Sequence, residues 1–332
     1  MSRSAPLVLA LAAALSACPT RQPKPLVQID GSSTVYPIAE AVAEEYQRAH
    51  PGARVTVAVS GTGGGLNRLC AGEVDVATAS RPIEASERKA CAARGVDYVE
   101  LPVAYDGLVV AVHPSNTWAN SITVAELRAL WAPEAQERVL RWSDIRTGWP
   151  DQRLSLFGPG VGSGTYDYFT QAVVGRTRSS RSDFAASEDD NALVSGVAGD
   201  PNALGFFGYV YFESNRARLK ALAVDDGDAR NGVGAVAPSR ESIREGRYQP
   251  LARPLFIYVS RASAERPEVG ALVDFWLIQG AALAAELGEV SLPEVVSVRV
   301  ADRFARRVTG SAFARPGAQV GLSVEALAEA LR

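Results

Sequence analysis

Histidine and lysine are scarce in this chain. Of 332 residues only two are histidine, His50 and His113, and only three are lysine, Lys24, Lys89 and Lys220, so nearly all the basic charge is arginine. Each histidine precedes a proline in a polar stretch that reads as a turn. Zinc centres and catalytic triads need partnered imidazoles, so neither histidine is assigned to a metal or to catalysis, and no cofactor is expected. No G-x-x-x-x-G-K-[ST] stretch is present, which excludes nucleotide hydrolysis by a P-loop. A net charge of -3 lacks the basic footprint of a nucleic-acid-binding protein, so any anion must be caught locally. What is present is an ordinary globular composition, with 47% hydrophobic, 8% aromatic and 21% charged residues, long enough for two domains of moderate size.

Residues 1–17 read as a signal peptide. Arg3 supplies a positive start, Leu7 to Leu15 an apolar run too short to span a bilayer, and small residues follow. The run Leu15-Ser16-Ala17-Cys18 resembles a lipobox, which makes Cys18 the acylated first residue of the mature protein; an ordinary signal peptide followed by a chance cysteine is the alternative. Residues 18–25, rich in proline and charge, form an extended tether. No later stretch reaches the length of a transmembrane helix without charge. In an exported protein the even pair left over, Cys70 and Cys91, favours one disulfide, with two buried free thiols as the alternative.

From Leu26 onward strand, small polar loop and helix alternate. Val27 to Ile29 is a strand, Asp30 to Thr34 a loop, and a helix starts near Pro37, with apolar residues at Ile38, Ala41, Val42, Tyr46 and Ala49. Val55 to Val59, the loop Ser60 to Gly65 and a helix from Leu66 to Cys70 repeat the unit, and Val74 to Ala79, Ser80-Arg81-Pro82 and a helix over Glu84 to Ala93 repeat it again. A fourth unit pairs the strand Leu154 to Phe157 with the loop Gly158 to Thr165 and a helix over Tyr166 to Val174. The pattern calls for a mostly parallel sheet covered on both faces, with ligand at the strand carboxyl ends. Leu108 to Val112 reads as the crossing into a second lobe and Leu255 to Val259 as the return. A long helix from Pro267 to Leu287 and a last one from about Ser323 complete the first lobe.

The first N–H groups of a helix have no intrahelical partner, and the helix dipole adds positive character there. A Gly, Ser and Thr loop leading into a helix is therefore an anion cradle as well as an ordinary cap. Four such loops at corresponding junctions exceed what capping needs, and the run Gly63-Gly64-Gly65 asks for bare backbone. A tetrahedral oxyanion fits. Arg81, beside the third loop, is the first choice for its counter-charge and Arg181 the second.

These segments resemble the periplasmic phosphate-binding protein family of the phosphate ABC importer (PstS, SphX-like branch). The stretches that carry the likeness are DGSSTVYPIAEA from Asp30, SGTGGG from Ser60, CAGEVDVATASRPI from Cys70, AYDGLVVAVHP from Ala104, LFGPGVGSGTYDYF from Leu156, SEDDN from Ser187, NALGFFGYVY from Asn202 and ARPLFIYV from Ala252. The resemblance implies a type II periplasmic-binding-protein fold of class α/β, in which two α/β lobes, residues 26–107 plus 255–332 and residues 108–254, are joined by two hinge strands around a ligand cleft. It implies a monomeric, lipid-anchored extracytoplasmic receptor that closes on inorganic phosphate and delivers it to a membrane permease. Carried over by position, the ligand shell is Ser33, Thr34, Thr62, Ser80, Arg81, Ser163, Gly164 and Thr165, with Ser32, Asp106, Arg181 and Asn191 as further candidates.

Two departures from the family pattern matter. Pro159 and Val161 stand where better-known members carry an arginine and an aspartate, and Ser80 stands where they carry the aspartate that accepts the proton of hydrogen phosphate. Asp106, Glu188, Asp189, Asp190 and Asn191 are the nearest replacements for that acceptor, on which rejection of sulfate depends. Another tetrahedral oxyanion, sulfate or molybdate, is the alternative cargo. A phosphatase is the further alternative, but Ser163 lies in V-G-S-G-T rather than G-x-S-x-G and has no histidine placed as its base, so no enzyme is expected.

Overall fold

The computed structural model describes residues 27–229, 232–314, 320–321 and 324–331. The signal peptide, Cys18 and the tether expected over residues 1–25 lie outside the described residues.

The first half of the fold starts with β1 (Val27–Gly31), α1 (Tyr36–Ala49), β2 (Val55–Val59), α2 (Gly61–Cys70), β3 (Val76–Ala79) and α3 (Ala85–Ala93). Its parallel strands lie in the order β2-β1-β3. Helix α1 forms because Pro37 suits the first turn and Ile38, Val42 and Tyr46 recur every fourth residue to make one buried face. His50, Pro51 and Gly52, the last at φ +96°, end it. His50 is structural, with Nδ1 3.0 Å from the Tyr46 carbonyl.

Strand β4 (Tyr98–Val112) leads into the second half, which comprises β5 (Ser121–Thr123), α4 (Val124–Trp131), α5 (Trp142–Ile145), β6 (Ser155–Pro159), α6 (Gly164–Phe169), β7 (Ala185–Ser187), α7 (Asp190–Gly199), β8 (Ala203–Gly208), α8 (Tyr209–Glu213), β9 (Lys220–Ala221), β10 (Ala223–Asp225) and α9 (Arg240–Arg244). Strand β11 (Ala252–Ser260) returns to the first half, followed by α10 (Pro267–Glu286), α11 (Glu294–Ala305) and α12 (Val324–Ala330). The main sheet runs β2-β1-β3-β11-β4-β8-β6-β7, with β9 also on β4 and a separate β5–β10 pair.

The sheet is mixed, not mostly parallel. β11 is antiparallel to both β3 and β4, and β4 is antiparallel to β8, because the chain must leave one half and return beside its own exit. The crossing strand is also longer than its apolar core suggested. All of β4 is buried; Tyr98 to Gly107 pairs with β11 and Leu108 to Val112 with β8, so one strand serves both halves. Ala252 opens β11 opposite Gly107, which brings exit and return side by side.

Two helices begin earlier than their sequences suggest. SGTGGG is not a loop: α2 starts at Gly61, and a Cβ on Gly65 would come within 2.6 Å of the Asp30 carbonyl and of Gly31 Cα. Gly65 therefore serves helix-to-strand packing against β1, while a Cβ on Gly63 would meet only ordinary contacts. Helix α6 starts at Gly164, and its continuation Thr170–Val174 is a π turn ended by Gly175 at φ +88°. Cys70 and Cys91 are bonded, which ties the end of α2 to α3. By length and composition α10 could cross a membrane, with mean hydropathy 1.3, but it carries Asp274 near its middle and so is not the charge-free stretch that the sequence reading excluded. It packs on α1 and buries Val269, Leu272, Val273 and Trp276.

Candidate anion site

The ends of four strands, β1, β2, β3 and β6, bring the starts of α1, α2 and α6 to one place. Thr34 follows β1, Ser80 follows β3, and Ser163 to Thr165 follow β6, while Thr62 lies in the first turn of α2. Neither α1 nor α2 has a side-chain cap at its N-terminus. Helix α6 is capped by Ser163, whose Oγ accepts from the Thr165 N–H at 3.1 Å.

The hydroxyls are buried and mutually bonded. Thr62 Oγ1 lies 3.2 Å from Ser80 Oγ and accepts from the Ser80 N–H at 3.1 Å. Thr34 Oγ1 lies 3.2 Å from Thr165 Oγ1, so hydroxyls from the two halves touch. Gly164 is held between the same groups: a Cβ there would fall inside contact distance of both Ser80 Oγ and Thr62 Oγ1. A Cβ on Gly61 would likewise come 2.5 Å from the Gly162 carbonyl. Ser32 is buried and anchors its loop through the Ser32 N–H to the Thr78 carbonyl at 3.1 Å; Ser33 is half-buried. The structure thus brings Thr34, Thr62, Ser80, Ser163, Gly164 and Thr165 together.

The arginine at this convergence is Arg253, which the sequence analysis passed over. It is fully buried at the start of β11, in register with Asp106 on β4. Its Nε and Nη2 donate to Asp106 Oδ2 at 3.1 and 2.8 Å. Nη2 also donates to Thr165 Oγ1 at 2.8 Å and to Thr34 Oγ1 at 3.4 Å, and Nη1 to the Gly164 carbonyl at 3.3 Å. Asp106 Oδ1 accepts from the Tyr209 N–H at 3.2 Å. A signal was there to be read, since an arginine opening an otherwise apolar, wholly buried strand must have a partner.

The two arginines chosen from sequence are occupied elsewhere. Arg81 donates to Glu87 through Nη1 and Nη2, each at 2.9 Å, to the Pro82 carbonyl through Nη1 and to Asp167 through Nε at 3.1 Å. A guanidinium has five N–H groups, so about one remains for any other acceptor, as on Arg253; the difference is that Arg253 donates to Thr34, Thr165 and Gly164, which are themselves residues of the convergence. Arg181 is a structural residue of the second half: it holds Asp183 and the carbonyls of Leu130 and Val139. Asn191 is exposed in the first turn of α7, its N–H donating to Asp189 Oδ1 at 2.9 Å.

Of the acidic run, Glu188 and Asp189 are exposed while Asp190 is buried. Burial, and then the Asp106 charge, push the Asp190 carboxyl up to about 7 against the pull of Arg253. Glu289, buried and with Oε2 lacking a hydrogen-bond partner among the described residues, is raised well above the usual carboxylate range by the same two causes. The chemistry of the place is hydroxyl and N–H donors around one buried guanidinium, suited to a small oxyanion.

Comparison with known proteins gives the family. The PBP superfamily domain matches residues 16–278. Protein SphX of Synechococcus elongatus is 44% identical over 333 residues, which covers 99% of this chain and 97% of that one. The phosphate-binding protein PstS of Staphylococcus aureus is 33% identical over 80% of this chain and 78% of its own. The crystal structure of a possible phosphate-binding protein from Planctomyces limnophilus superposes with a TM-score of 0.66 at 45% identity, covering 85% of this chain and 98% of that one. The chain has the α/β periplasmic-binding-protein fold and belongs to the PBP superfamily, in the family of SphX and PstS.

Proposed function

We propose that this protein is the extracytoplasmic receptor of an ABC importer, a binding protein and not an enzyme, and that it captures inorganic phosphate between two lobes for delivery to a membrane permease. The observation that carries the reading is the meeting of Thr34 from one half with Thr165 from the other at the Arg253 guanidinium. Residues 26–107 plus 255–332 make one lobe and 108–254 the other, with β4 and β11 as the strands that bend. Each lobe holds only part of the donor set, so the closed state gains contacts that the open state lacks, and phosphate shifts the population toward closure.

In this reading the anion is held by the hydroxyls of Ser33, Thr34, Thr62, Ser80, Ser163 and Thr165, by N–H groups at the starts of α1, α2 and α6, and by Arg253. Asp106 shares the Arg253 Nη2 donor with Thr165 and is the carboxylate assigned to the proton of hydrogen phosphate. Sulfate has no such proton and would face that carboxylate unpaired. The lipobox-like run places the acyl chain on Cys18, which anchors a monomeric receptor at the membrane.

Titration calorimetry with phosphate, sulfate and molybdate at neutral pH tests the proposal. Phosphate is expected to bind and the others to bind weakly. Equal or tighter binding of sulfate or molybdate would move the cargo to another oxyanion, and no binding of any of them would remove the receptor reading.

A further inference from the structure

Beside the anion shell runs a chain of alternating charges that the shell does not use: Glu87 on α3, Arg81 after β3, Asp167 on α6, and Arg178 beyond the π turn. Glu87 takes Arg81 through both carboxylate oxygens at 2.9 Å. Asp167 Oδ2 accepts from Arg81 Nε at 3.1 Å and from Arg178 Nη2 at 3.0 Å, and Oδ1 accepts from Arg178 Nε at 2.9 Å. Arg81, Glu87 and Asp167 are buried, while the Arg178 side chain is 53% exposed. Of these bonds only Arg81 to Asp167 joins the two halves.

We propose that Asp167 is a positioning residue that latches the closed cleft by reaching across it to Arg81, and that this bond sets how long a bound anion stays. The inference rests on the two-lobe receptor reading above. Forming a buried ion pair from two fully solvated partners often yields nothing, because desolvation cancels the attraction. Here both partners are already held within their own halves. Arg81 keeps Glu87 and the Pro82 carbonyl when the cleft opens, and Asp167 keeps Arg178. Each is oriented and partly desolvated before closure, so the crossing bond adds a charge-assisted contact at reduced cost.

The anchor on the first side is rigid. Glu87 closes the capping box of α3, taking the Glu84 N–H at 2.8 Å, and Cys91 one turn later ties that helix to α2. Arg81 follows Ser80, and Asp167 lies two residues after Thr165, so opening the latch separates hydroxyls that surround the anion. Because the bond forms only once the halves have met, it acts on escape more than on encounter.

The test is stopped-flow phosphate binding and solution scattering on the soluble mature chain carrying Asp167→Asn, Asp167→Glu or Arg178→Gln. Asp167→Asn is expected to raise the dissociation rate about tenfold with association changed less than about twofold, and to enlarge the ligand-free radius of gyration. Asp167→Glu should recover part of the slow release. Arg178→Gln leaves the crossing bond in place but loosens Asp167, and should quicken release by clearly less than Asp167→Asn does. A dissociation rate in Asp167→Asn equal to wild type, or raised equally in Arg178→Gln, would overturn the latch. Should Asp167→Asn not fold, Arg81→Lys keeps a charge for Glu87 while losing the Nε donor, and unchanged release there would overturn it as well. Absence of phosphate binding by the wild-type chain would defeat the functional reading alone, since ligand-free scattering still reports the latch.

Discussion

Arg253 and Asp106 face each other across the β4–β11 ladder, guanidinium to carboxylate at 2.8 Å, with side chains 0% and 1% exposed. A pair so deeply buried is costly to break from one side. Arg253→Gln should lower the unfolding free energy by about 3 kcal/mol or more and abolish measurable phosphate binding. Adding Asp106→Asn should restore most of the stability and none of the affinity. Denaturant melts beside calorimetry would show this, and recovered binding in the double variant would remove Arg253 from the anion shell.

Gly164 packs its backbone against the Thr62 and Ser80 hydroxyls. Gly164→Ala should therefore weaken phosphate binding by at least about tenfold, roughly 1.4 kcal/mol, by holding the two halves apart. The melting temperature of the ligand-free protein should fall little, because opening the cleft relieves the clash. An affinity equal to wild type would mean that the halves do not approach as described.

Asp190 links stability to pH. Its carboxyl is raised from 3.8 to about 7 in the folded chain, so the folded state binds that proton more tightly than the unfolded one. The associated stability is fully present below the unfolded value and is lost as pH rises through the folded one. A rise of this size corresponds to a few kcal/mol, at about 1.4 kcal/mol for each tenfold change in proton affinity. Between about pH 4 and pH 7, urea midpoints of the wild type should decline relative to those of Asp190→Asn. Parallel curves for the two proteins would contradict the raised value.

The Cys70–Cys91 bond closes a loop with a sequence separation of 21. In the chain-entropy account such a crosslink contributes roughly 3 kcal/mol. Reduction, or the paired change Cys70→Ser with Cys91→Ser, should lower the unfolding free energy by about that amount, read as a fall in urea midpoint. Phosphate release should quicken too, because α3 carries Glu87, which holds Arg81.

Local features were legible in the sequence for a local reason. The alternation Val27 to Ile29, the Pro37 helix start and the stop at Gly52 are settled by residues within a few positions of one another, and the structure reproduces them. The start of α2 was not, because the partners of its glycines lie far along the chain: Gly65 packs on β1, more than thirty residues upstream, and Gly61 on the Gly162 carbonyl of the other half. The glycine and hydroxyl segments that carry Thr34, Thr62, Ser80 and Thr165 were visible from composition. The cation beside them was not: proximity along the chain favoured Arg81, whose donors are taken by Glu87 and by Asp167, 86 residues away.

By itself the amino-acid sequence determined the strand–loop–helix order, the hydroxyl and glycine loops, the cysteine pair and the family. These depend on short-range spacing and side-chain chemistry, which survive in any linear reading. Only the tertiary structure decided that Arg253 faces Thr165 across 88 positions and Asp106 across 147, that Asp190 is buried while its neighbours are exposed, and that Arg81 reaches Asp167. Charge pairing and desolvation act through space, so which guanidinium meets which carboxylate is set by the crossing of β4 and β11 and by the contact between the halves.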